Sequence, residues 1–324
     1  MNQKTNKPSW KEVIQSTKGP DSLSASVMLF IKGLFMGAAN IIPGVSGGTI
    51  ALITGIYQDL LYAIRSFNID TLKHLKDFNI KAAAATLHIR FLFVLFLGVI
   101  AAILSLAHIM NYVFKNYAII TWSFFFGLII ASIAIMGIRT KNWLGWGGIS
   151  FLFGTLSAYF FVALIPVTTP DSWWFILLTG AVAICTMILP GLSGAFLLLI
   201  LGKYEYITNA LKNPFLSENF AVLSLFGVGC LLGIIAFSRL LSYMLKRNEN
   251  ATMAMLTGIM CGSLRKVWPW KEVIETRVVR GKVHIISEAN ILPPQFDTEF
   301  AVAVALAVVG FFLVILLEKT ASSN

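Results

Sequence analysis

The sequence predicts an all-α integral membrane protein built from two inverted repeats, with two re-entrant hairpins and about six full transmembrane helices. Of its 324 residues, 57% are hydrophobic and only 12% are charged, and the mean hydropathy is +0.79. Soluble domains carry about 25% charged residues, so this composition indicates a membrane protein. Two of the apolar segments are interrupted by the same sequence, Pro-Gly-x-Ser-Gly, which begins at Pro43 and again at Pro190.

A tandem duplication explains the two interruptions. Identical residues recur 147 positions apart: Gly33 and Gly180, Ser46 and Ser193, Gly47 and Gly194, Gly55 and Gly202, Tyr57 and Tyr204, and Ala63 and Ala210. Residues 127–132 also match residues 258–263. The chain therefore divides into a cytoplasmic segment (1–24), repeat 1 (25–165, with hairpin 25–64), repeat 2 (173–317, with hairpin 173–211) and a C-terminal tail (318–324).

Each repeat continues with three apolar runs after its hairpin. The runs are 91–114, 117–138 and 143–165 in repeat 1, and 220–244, 251–264 and 300–317 in repeat 2. Most are long enough to cross about 30 Å of hydrocarbon at 1.5 Å per residue. Two polar segments connect the runs, a basic connector at 65–90 and a longer loop at 265–298. Within the loop, β-branched residues on both sides of Gly281 predict a small β-hairpin between Val273 and Ile286.

The distribution of basic residues predicts that both broken segments turn back instead of crossing. The N-terminal side would then comprise 1–24, 65–90, 139–142, 245–250 and the C-terminal tail. That side carries 14 Lys and Arg residues against 8 on the other, and the richer side is normally cytoplasmic. Three crossings per repeat also make the repeats inverted. The loop 265–298 then places six basic residues outside, which means either that 251–264 does not cross fully or that the loop has a function there.

The two breaks, residues 42–48 and 190–193, predict an anion site. Proline and glycine interrupt a helix and leave backbone N–H and C=O groups without helical hydrogen bonds. At membrane depth such groups are tolerated only inside the protein or beside a cavity. Ser46 and Ser193 are placed to cap the returning half-helices, whose first amides attract phosphate. Broken segments at matching positions of two repeats are typical of transporter binding sites. Asn40 and Thr49 make the first copy the more polar one.

Charged residues in or beside the apolar segments are candidates for phosphate binding or proton coupling. The basic candidates are Lys32, Arg65, Lys203, Arg239 and Arg265. The alternative for such long side chains near helix ends is that they reach the membrane interface. Asp59 and Glu205 follow Tyr57 and Tyr204 and are candidates for proton coupling, with an interfacial ion pair as the alternative.

Several motifs resemble the PopT family of bacterial polyprenyl-phosphate (undecaprenyl-phosphate) translocases. They are residues 36–49, Met-Gly-Ala-Ala-Asn-Ile-Ile-Pro-Gly-Val-Ser-Gly-Gly-Thr, then 55–57, the second Pro-Gly-x-Ser-Gly, and Arg-Lys-Val-Trp-Pro-Trp at 265–270. The resemblance implies a multi-pass protein of the bacterial inner membrane that moves undecaprenyl phosphate from the outer to the inner leaflet for cell-wall synthesis. The implied ligands are that lipid and membrane lipids, with no nucleic acid, and a homodimer is compatible with the sequence.

Together, the breaks and the resemblance predict the substrate-binding residues. They are Asn40, Pro43, Gly44, Ser46, Gly47, Gly48, Thr49, Pro190, Gly191, Ser193 and Gly194, together with the basic residues Lys32, Arg65, Arg239 and Arg265.

Two other functions are compatible with the breaks. Half-helix hairpins also build channels for small solutes or anions. Residues 44–48 fit the Gly-x-Ser-x-Gly nucleophile pattern of serine hydrolases, for which His108 would be the base within an apolar segment. Duplication of a catalytic serine argues against that enzyme. Cys185, Cys230 and Cys261 lack metal-ligand or paired spacing, so we expect no metal, cofactor or disulfide.

Overall fold

The structure is a computed structural model of the 324-residue chain. It describes residues 9, 17–41, 46–67, 69–77, 79–164, 169–279 and 282–322. Two of the predicted site residues, Pro43 and Gly44, lie outside the described residues.

Helices dominate both predicted repeats. In the first they are α1 (Leu23–Ile41), α2 (Gly47–Ile53), α3 (Tyr57–Arg65), α4 (Ile69–Lys76), α5 (Ile80–Thr86), α6 (Ile89–Asn116), α7 (Ala118–Arg139) and α8 (Trp146–Phe161). In the second they are α9 (Trp173–Ile188), α10 (Gly194–Ile200), α11 (Tyr204–Lys212), α12 (Ser217–Arg247), α13 (Glu249–Val267) and α14 (Thr298–Ser322). Each predicted apolar run coincides largely with one of these helices, and the basic connector contains α4 and α5.

A two-stranded antiparallel sheet occupies the polar loop between α13 and α14. Strand β1 (Lys271–Val279) pairs with β2 (Lys282–Asn290), and Lys271 lies opposite Asn290. The predicted β-hairpin is confirmed, and it extends beyond the predicted ends on both sides. Its base therefore returns the chain to the C-terminal end of α13.

Within the described residues, four helices are long and apolar enough to cross a membrane: α1, α7, α12 and α14. A fifth span results if α5 and α6, bent by 75° relative to each other, count as one. The apolar helices α8 and α9 are shorter, with 16 residues each. A multi-pass membrane protein is thus confirmed, whereas the expected number of six full spans is not established by helix length.

Long helices pack in parallel pairs, with glycines at the crossing points. In each predicted repeat the helix before the break pairs with the first long helix after it, α1 with α6 and α9 with α12. The contacts are Gly33 with Leu95 and Gly37 with Val99 in the first pair, and Leu177 with Gly229 and Ala181 with Gly233 in the second. Because a side chain at these glycines would overlap the neighbouring backbone, the helices approach as closely as two backbones can.

The remaining long helices exchange partners between the repeats. Helix α7 runs parallel to α14, and α8 runs parallel to α13. The contacts are Gly127 with Ala307 and Arg139 with Glu318 in one pair, and Phe151 with Gly258 and Thr155 with Gly262 in the other. Helices α7 and α13, which contain the matching sequences 127–132 and 258–263, lie side by side and antiparallel. Phe126 contacts Trp268 at one end of this pair, and the Lys141 backbone amide donates a hydrogen bond to Asn250 Oδ1 at the other.

Candidate functional site

At both breaks the chain turns back on itself. Helix α2 runs back along α1, since Gly47 hydrogen-bonds to the Asn40 side chain near the turn and Thr54 contacts Lys32 further away. The Lys32 ammonium donates to the Thr54 carbonyl oxygen at 3.0 Å and so satisfies the C-terminal end of α2. This places Lys32 at the end of the hairpin opposite to the break.

The second hairpin has the same form. Gly194 lies against Met187 at its turn, and Thr169 donates a hydrogen bond to the Leu201 carbonyl at the other end. Position 201 corresponds to position 54 in the predicted repeat, so a polar side chain from an earlier segment binds the carbonyl group that follows each half-helix. The Lys203 side chain is 3% exposed and forms an ion pair with Asp171. We therefore interpret Lys203 as a structural residue.

The two breaks contact each other in the centre of the molecule. Ser46 caps α2, because its Oγ accepts from the Gly48 amide at 3.1 Å, and the same hydroxyl donates to the Met187 carbonyl oxygen at 3.0 Å. Thr49 Oγ1 accepts a hydrogen bond of 2.8 Å from the Gly191 amide. We call this set of contacts, together with the Tyr57–Ile188 hydrogen bond, the central seal.

Tyr57 and two glycines complete the central seal. The Tyr57 hydroxyl donates to the Ile188 carbonyl oxygen at 3.1 Å, at the end of α9. Gly48 lies so close to the same carbonyl that a side chain would overlap it. Gly191 has a φ of +83° and lies against Ser263 of α13, so both its backbone conformation and its surroundings require glycine. The hydroxyl groups of the central seal therefore come from the first hairpin, and their backbone partners at Met187, Ile188 and Gly191 come from the second.

Protein groups already bind several backbone amides at and beside the breaks, where phosphate binding was predicted. Gly47 donates to Asn40 Oδ1 at 2.8 Å, and the amides of Gly48 and Gly191 have the partners given above. The Phe196 amide is capped by Ser193 Oγ at 3.5 Å. The cavity beside them, lined by Asn40, Ser46, Met187, Leu192, Ser193, Gly194 and Ala195, measures about 30 Å³. Since this is the space of a water molecule, the structure represents a conformation in which the breaks are closed.

A much larger cavity lies on the α10 side of the central seal, and we call it the basic cavity. Its volume is about 870 Å³, within the range of ligand pockets. It is formed where α8, α10 and α13 meet the base of the β-hairpin. The charged residues that line it are Arg265, Lys266, Lys271 and Glu288, and its apolar wall includes Phe126, Tyr159, Val162, Phe196, Leu199 and Trp268.

Three cations and one carboxylate give the basic cavity a net positive charge. Lys266 and Lys271 approach the Glu288 carboxylate at 3.4 and 3.6 Å, so one negative charge is shared by two ammonium groups. Each cation also lies over an aromatic ring. The distances to the ring centroids are 4.5 Å for Arg265 over Tyr159, 4.8 Å for Lys266 over Phe196 and 4.3 Å for Lys271 over Trp122. Such a site attracts a small anion.

Lys271 is the most deeply buried cation of the basic cavity. Desolvation by burial lowers its pKa from the ordinary 10.5 to about 8, although the Glu288 carboxylate acts in the opposite direction. Its ammonium also donates to the Lys266 backbone carbonyl at 2.8 Å. Burial has removed water from this ammonium group, and a bound anion would therefore stabilise its positive charge.

A second cavity, which we call the mixed-charge cavity, lies at the opposite ends of α7 and α13. Its volume is about 620 Å³, and Leu52, Gly55 and Tyr57 of the first hairpin form part of its wall. Its charged residues are Asp59, Arg139, Lys141 and Glu249. Two cations thus face two carboxylates, and Arg139 is also paired with Glu318 at 2.7 Å.

The predicted charged residues do not converge on one point. Arg265 lines the basic cavity and Asp59 the mixed-charge cavity. Arg65, in the last turn of α3, and Arg239, on the exposed side of α12, are not among the described residues that line either cavity. Glu205 lies in the first turn of α11, also away from the cavity walls that the structure describes.

Sequence analysis did not single out Lys266, Lys271 or Glu288. The signal was present, because the loop 265–298 places six basic residues on the side where few are expected. Their convergence depends on the β-hairpin, which brings Glu288 of β2 back to the start of β1.

Comparison with known proteins identifies the family. The sequence profile described as undecaprenyl phosphate translocase-like matches residues 36–284. The chain belongs to this family. A relative from Vibrio cholerae named polyprenyl-phosphate transporter is 38% identical over 306 residues, which cover 90% of this chain and 96% of the relative.

A second relative comes from Staphylococcus aureus. It is also named polyprenyl-phosphate transporter and is 31% identical over 264 residues, or 74% of this chain and 85% of the relative. No solved structure matches the chain. The family match includes the first break, the central seal and most of the basic cavity.

Proposed function

We propose that this protein transports a polyprenyl phosphate, specifically undecaprenyl phosphate, from the outer to the inner leaflet of the bacterial cytoplasmic membrane, so that the carrier is reused in cell-wall synthesis. Family membership and the names of both relatives support the ligand class. The observation that carries the proposal is the basic cavity, because Arg265, Lys266 and Lys271 converge there beside the second half-helix. A phosphate that leaves water needs such partners, since an unpaired buried charge costs several kcal/mol.

The architecture that fits this function is a pair of inverted repeats with re-entrant hairpins. The antiparallel arrangement of α7 and α13 supports inversion, because these helices carry matching sequences. The reversal of α2 along α1, and of α10 along α9, supports two re-entrant hairpins. With the N-terminus in the cytoplasm, the basic cavity faces outward and the mixed-charge cavity faces inward.

We infer that the central seal separates the two cavities, because residues at the breaks contact residues that line each of them. Phe196 lines the basic cavity, and its amide is capped by Ser193 of the second break. Tyr57 lines the mixed-charge cavity, and its hydroxyl holds Ile188 just before that break. We infer that the phosphate docks in the basic cavity and that parting of the seal then opens the way inward. The freed amides near Ser46 and Ser193 would bind the phosphate as it passes.

Asp59 is the proton-coupling residue that this arrangement favours. It lines the inward cavity, and its carboxylate interacts electrostatically with the Lys32 ammonium of the hairpin. Protonation of Asp59 would change the charge beside a departing phosphate. We expect transport by Asp59→Asn to lose its dependence on a pH gradient, whereas Glu249→Gln, which alters another carboxylate of the same cavity, should keep it. Equal behaviour of both variants in proteoliposomes would remove Asp59 from the coupling mechanism.

A serine hydrolase is not part of the proposal. The Ser46 hydroxyl donates its proton to the Met187 backbone carbonyl, which cannot act as a base, and accepts from an amide. A nucleophilic serine instead donates to a general base. The side chain of His108 lies outside the described residues. The names of both relatives also describe transport and no reaction.

Head-group selectivity tests the proposed ligand. Native mass spectrometry of the purified protein with undecaprenyl phosphate, undecaprenyl pyrophosphate and a phosphatidylglycerol should show preferential binding of the monophosphate. The reason is that three cations and one carboxylate suit a single phosphate better than a larger group or a diester with one charge. Equal binding of all three lipids would contradict the proposed substrate.

A further inference from the structure

We propose that the structure contains a separate site for the isoprenoid chain of the ligand, a groove between α7, α14 and the Trp268–Trp270 corner, which we call the chain groove. This inference rests on the proposed function, since it assigns a site to the other end of the same lipid. The chain groove has a volume of about 400 Å³. Its main side chains are Phe126, Ile130, Trp268, Val304, Val308 and Phe312.

The lining of the chain groove is suited to a hydrocarbon. Apart from Ser123, the side chains that form it are apolar or aromatic, and the Ser123 hydroxyl donates to the Ile119 carbonyl within its own helix at 2.9 Å. The Trp268 indole nitrogen is likewise satisfied, because it donates to the Ile291 carbonyl oxygen at 2.8 Å. The described side chains of the groove therefore provide a ligand with apolar contact surface. They provide no free hydrogen-bonding group.

The chain groove adjoins the basic cavity. Phe126 and Trp268 line both spaces, and their rings meet edge to face with centroids 5.4 Å apart. A lipid with its phosphate at Lys266 and Lys271 would thus pass its first isoprene units over this aromatic edge into the groove. The position of the groove next to the cations is the observation that identifies its occupant as the chain of a phosphate lipid.

The spacing of the groove residues on α14 shows that the groove follows the helix. Val304, Val308 and Phe312 recur every four residues and so lie on one face. Val308 is 48% exposed, and the neighbouring Val309 is 54% exposed but points away from the groove. Because lipid tails are as apolar as these side chains, the groove would act through shape and packing and not through the hydrophobic effect. We therefore expect it to recognise the methyl-branched isoprenoid chain above a straight alkyl chain.

The experiment compares two variants that enlarge exposed valines on the same helix. Val308→Trp fills the chain groove, and Val309→Trp places an equal side chain one position away, outside it. Dissociation constants of three phosphate monoesters, undecaprenyl phosphate, hexadecyl phosphate and butyl phosphate, are measured in detergent micelles for the wild type and both variants. Butyl phosphate reports on the basic cavity alone because its chain is too short to occupy the groove.

In the wild type, undecaprenyl phosphate should bind about tenfold more tightly than hexadecyl phosphate. Val308→Trp should abolish this difference and leave the affinity for butyl phosphate unchanged, while Val309→Trp should preserve the difference. Equal affinity of the wild type for the two long ligands, retention of the difference in Val308→Trp, or its loss in both variants would overturn the chain groove. Failure of the wild type to bind any of the three monoesters would instead overturn the proposed function, and with it this inference.

Discussion

The basic cavity and the mixed-charge cavity lie at opposite ends of the same antiparallel helix pair, yet they differ in charge. The first has three cations and one carboxylate, and the second has two of each. The first also shares two lining residues, Phe126 and Trp268, with the adjoining apolar groove. A phosphate lipid would therefore bind more strongly at the basic cavity and leave more readily from the mixed-charge cavity. The two ends of one helix pair thus carry sites of different charge, which suits the proposed capture on one side and release on the other.

Removal of two cations from the basic cavity should have the largest effect. We expect Lys266→Gln combined with Lys271→Gln to weaken binding of undecaprenyl phosphate by about 100-fold or more, since each charge-assisted hydrogen bond contributes about 1.5–3 kcal/mol. Titration by microscale thermophoresis in detergent measures this change. Lys141→Gln, a matched change in the mixed-charge cavity, should alter affinity by less than about threefold because the charges there are balanced. A similar loss of affinity in the double variant and in Lys141→Gln would contradict the proposed difference between the two cavities.

The next largest effect should come from the central seal, which belongs to neither cavity. Thr49→Val leaves the buried Gly191 amide without its partner, so we expect a loss of about 1–3 kcal/mol in unfolding free energy. Thermal unfolding in detergent gives the change in midpoint, and Thr49→Ser should restore most of it.

The control for the seal is Thr208→Val on α11. Its hydroxyl makes only local hydrogen bonds to carbonyls of its own helix, those of Tyr204 and Glu205, and it lies near the surface. We expect this variant to unfold close to the wild-type midpoint. If it loses as much stability as Thr49→Val, the hydrogen bond between the two breaks has no special role.

The smallest of the three effects should be a pH dependence confined to the basic cavity. The pKa of Lys271 is about 8 in the free protein, and a bound phosphate would raise it, so phosphate binds preferentially to the protonated lysine. Lys271 is mostly charged at pH 7 and mostly neutral at pH 9, whereas a phosphate monoester, with a second pKa of about 6, stays a dianion over this interval. Affinity should therefore fall by about tenfold as the pH rises from 7 to 9.

Lys271→Arg provides the control for this dependence, because an arginine keeps its charge over the whole interval. Its affinity for undecaprenyl phosphate should be nearly constant between pH 7 and pH 9. A dependence that persists in Lys271→Arg would assign the titration to another group.

Much of the fold follows from local sequence patterns. Pro-Gly-x-Ser-Gly marks both helix interruptions, and Ser46 and Ser193 cap the following half-helices as predicted. The β-branched runs around Gly281 correctly predict the β-hairpin. These features depend on a few neighbouring residues, and for that reason the sequence specifies them directly.

The site is less accessible from sequence because its contacts join distant segments. Ser46 and Met187 are 141 positions apart, and nothing near either residue indicates that the serine hydroxyl is occupied. Phosphate binding at the breaks stays a prediction, to be tested on a conformation with the seal parted. Lys266 and Lys271 were counted among six basic residues of one loop, but their convergence required the return of β2. Charge counting located the right segment and could not select the residues.

Transfer between leaflets is the measurement that tests the central claim most directly. Liposomes that contain undecaprenyl phosphate in both leaflets are treated from outside with a phosphatase that cannot cross the membrane. With the wild-type protein in the bilayer, the whole lipid pool should be hydrolysed, whereas the Lys266→Gln/Lys271→Gln protein should leave the inner-leaflet lipid protected, as in protein-free liposomes. If the inner-leaflet lipid stays protected with wild-type protein that still binds undecaprenyl phosphate, both with and without an imposed pH gradient, the protein is not the transporter described here.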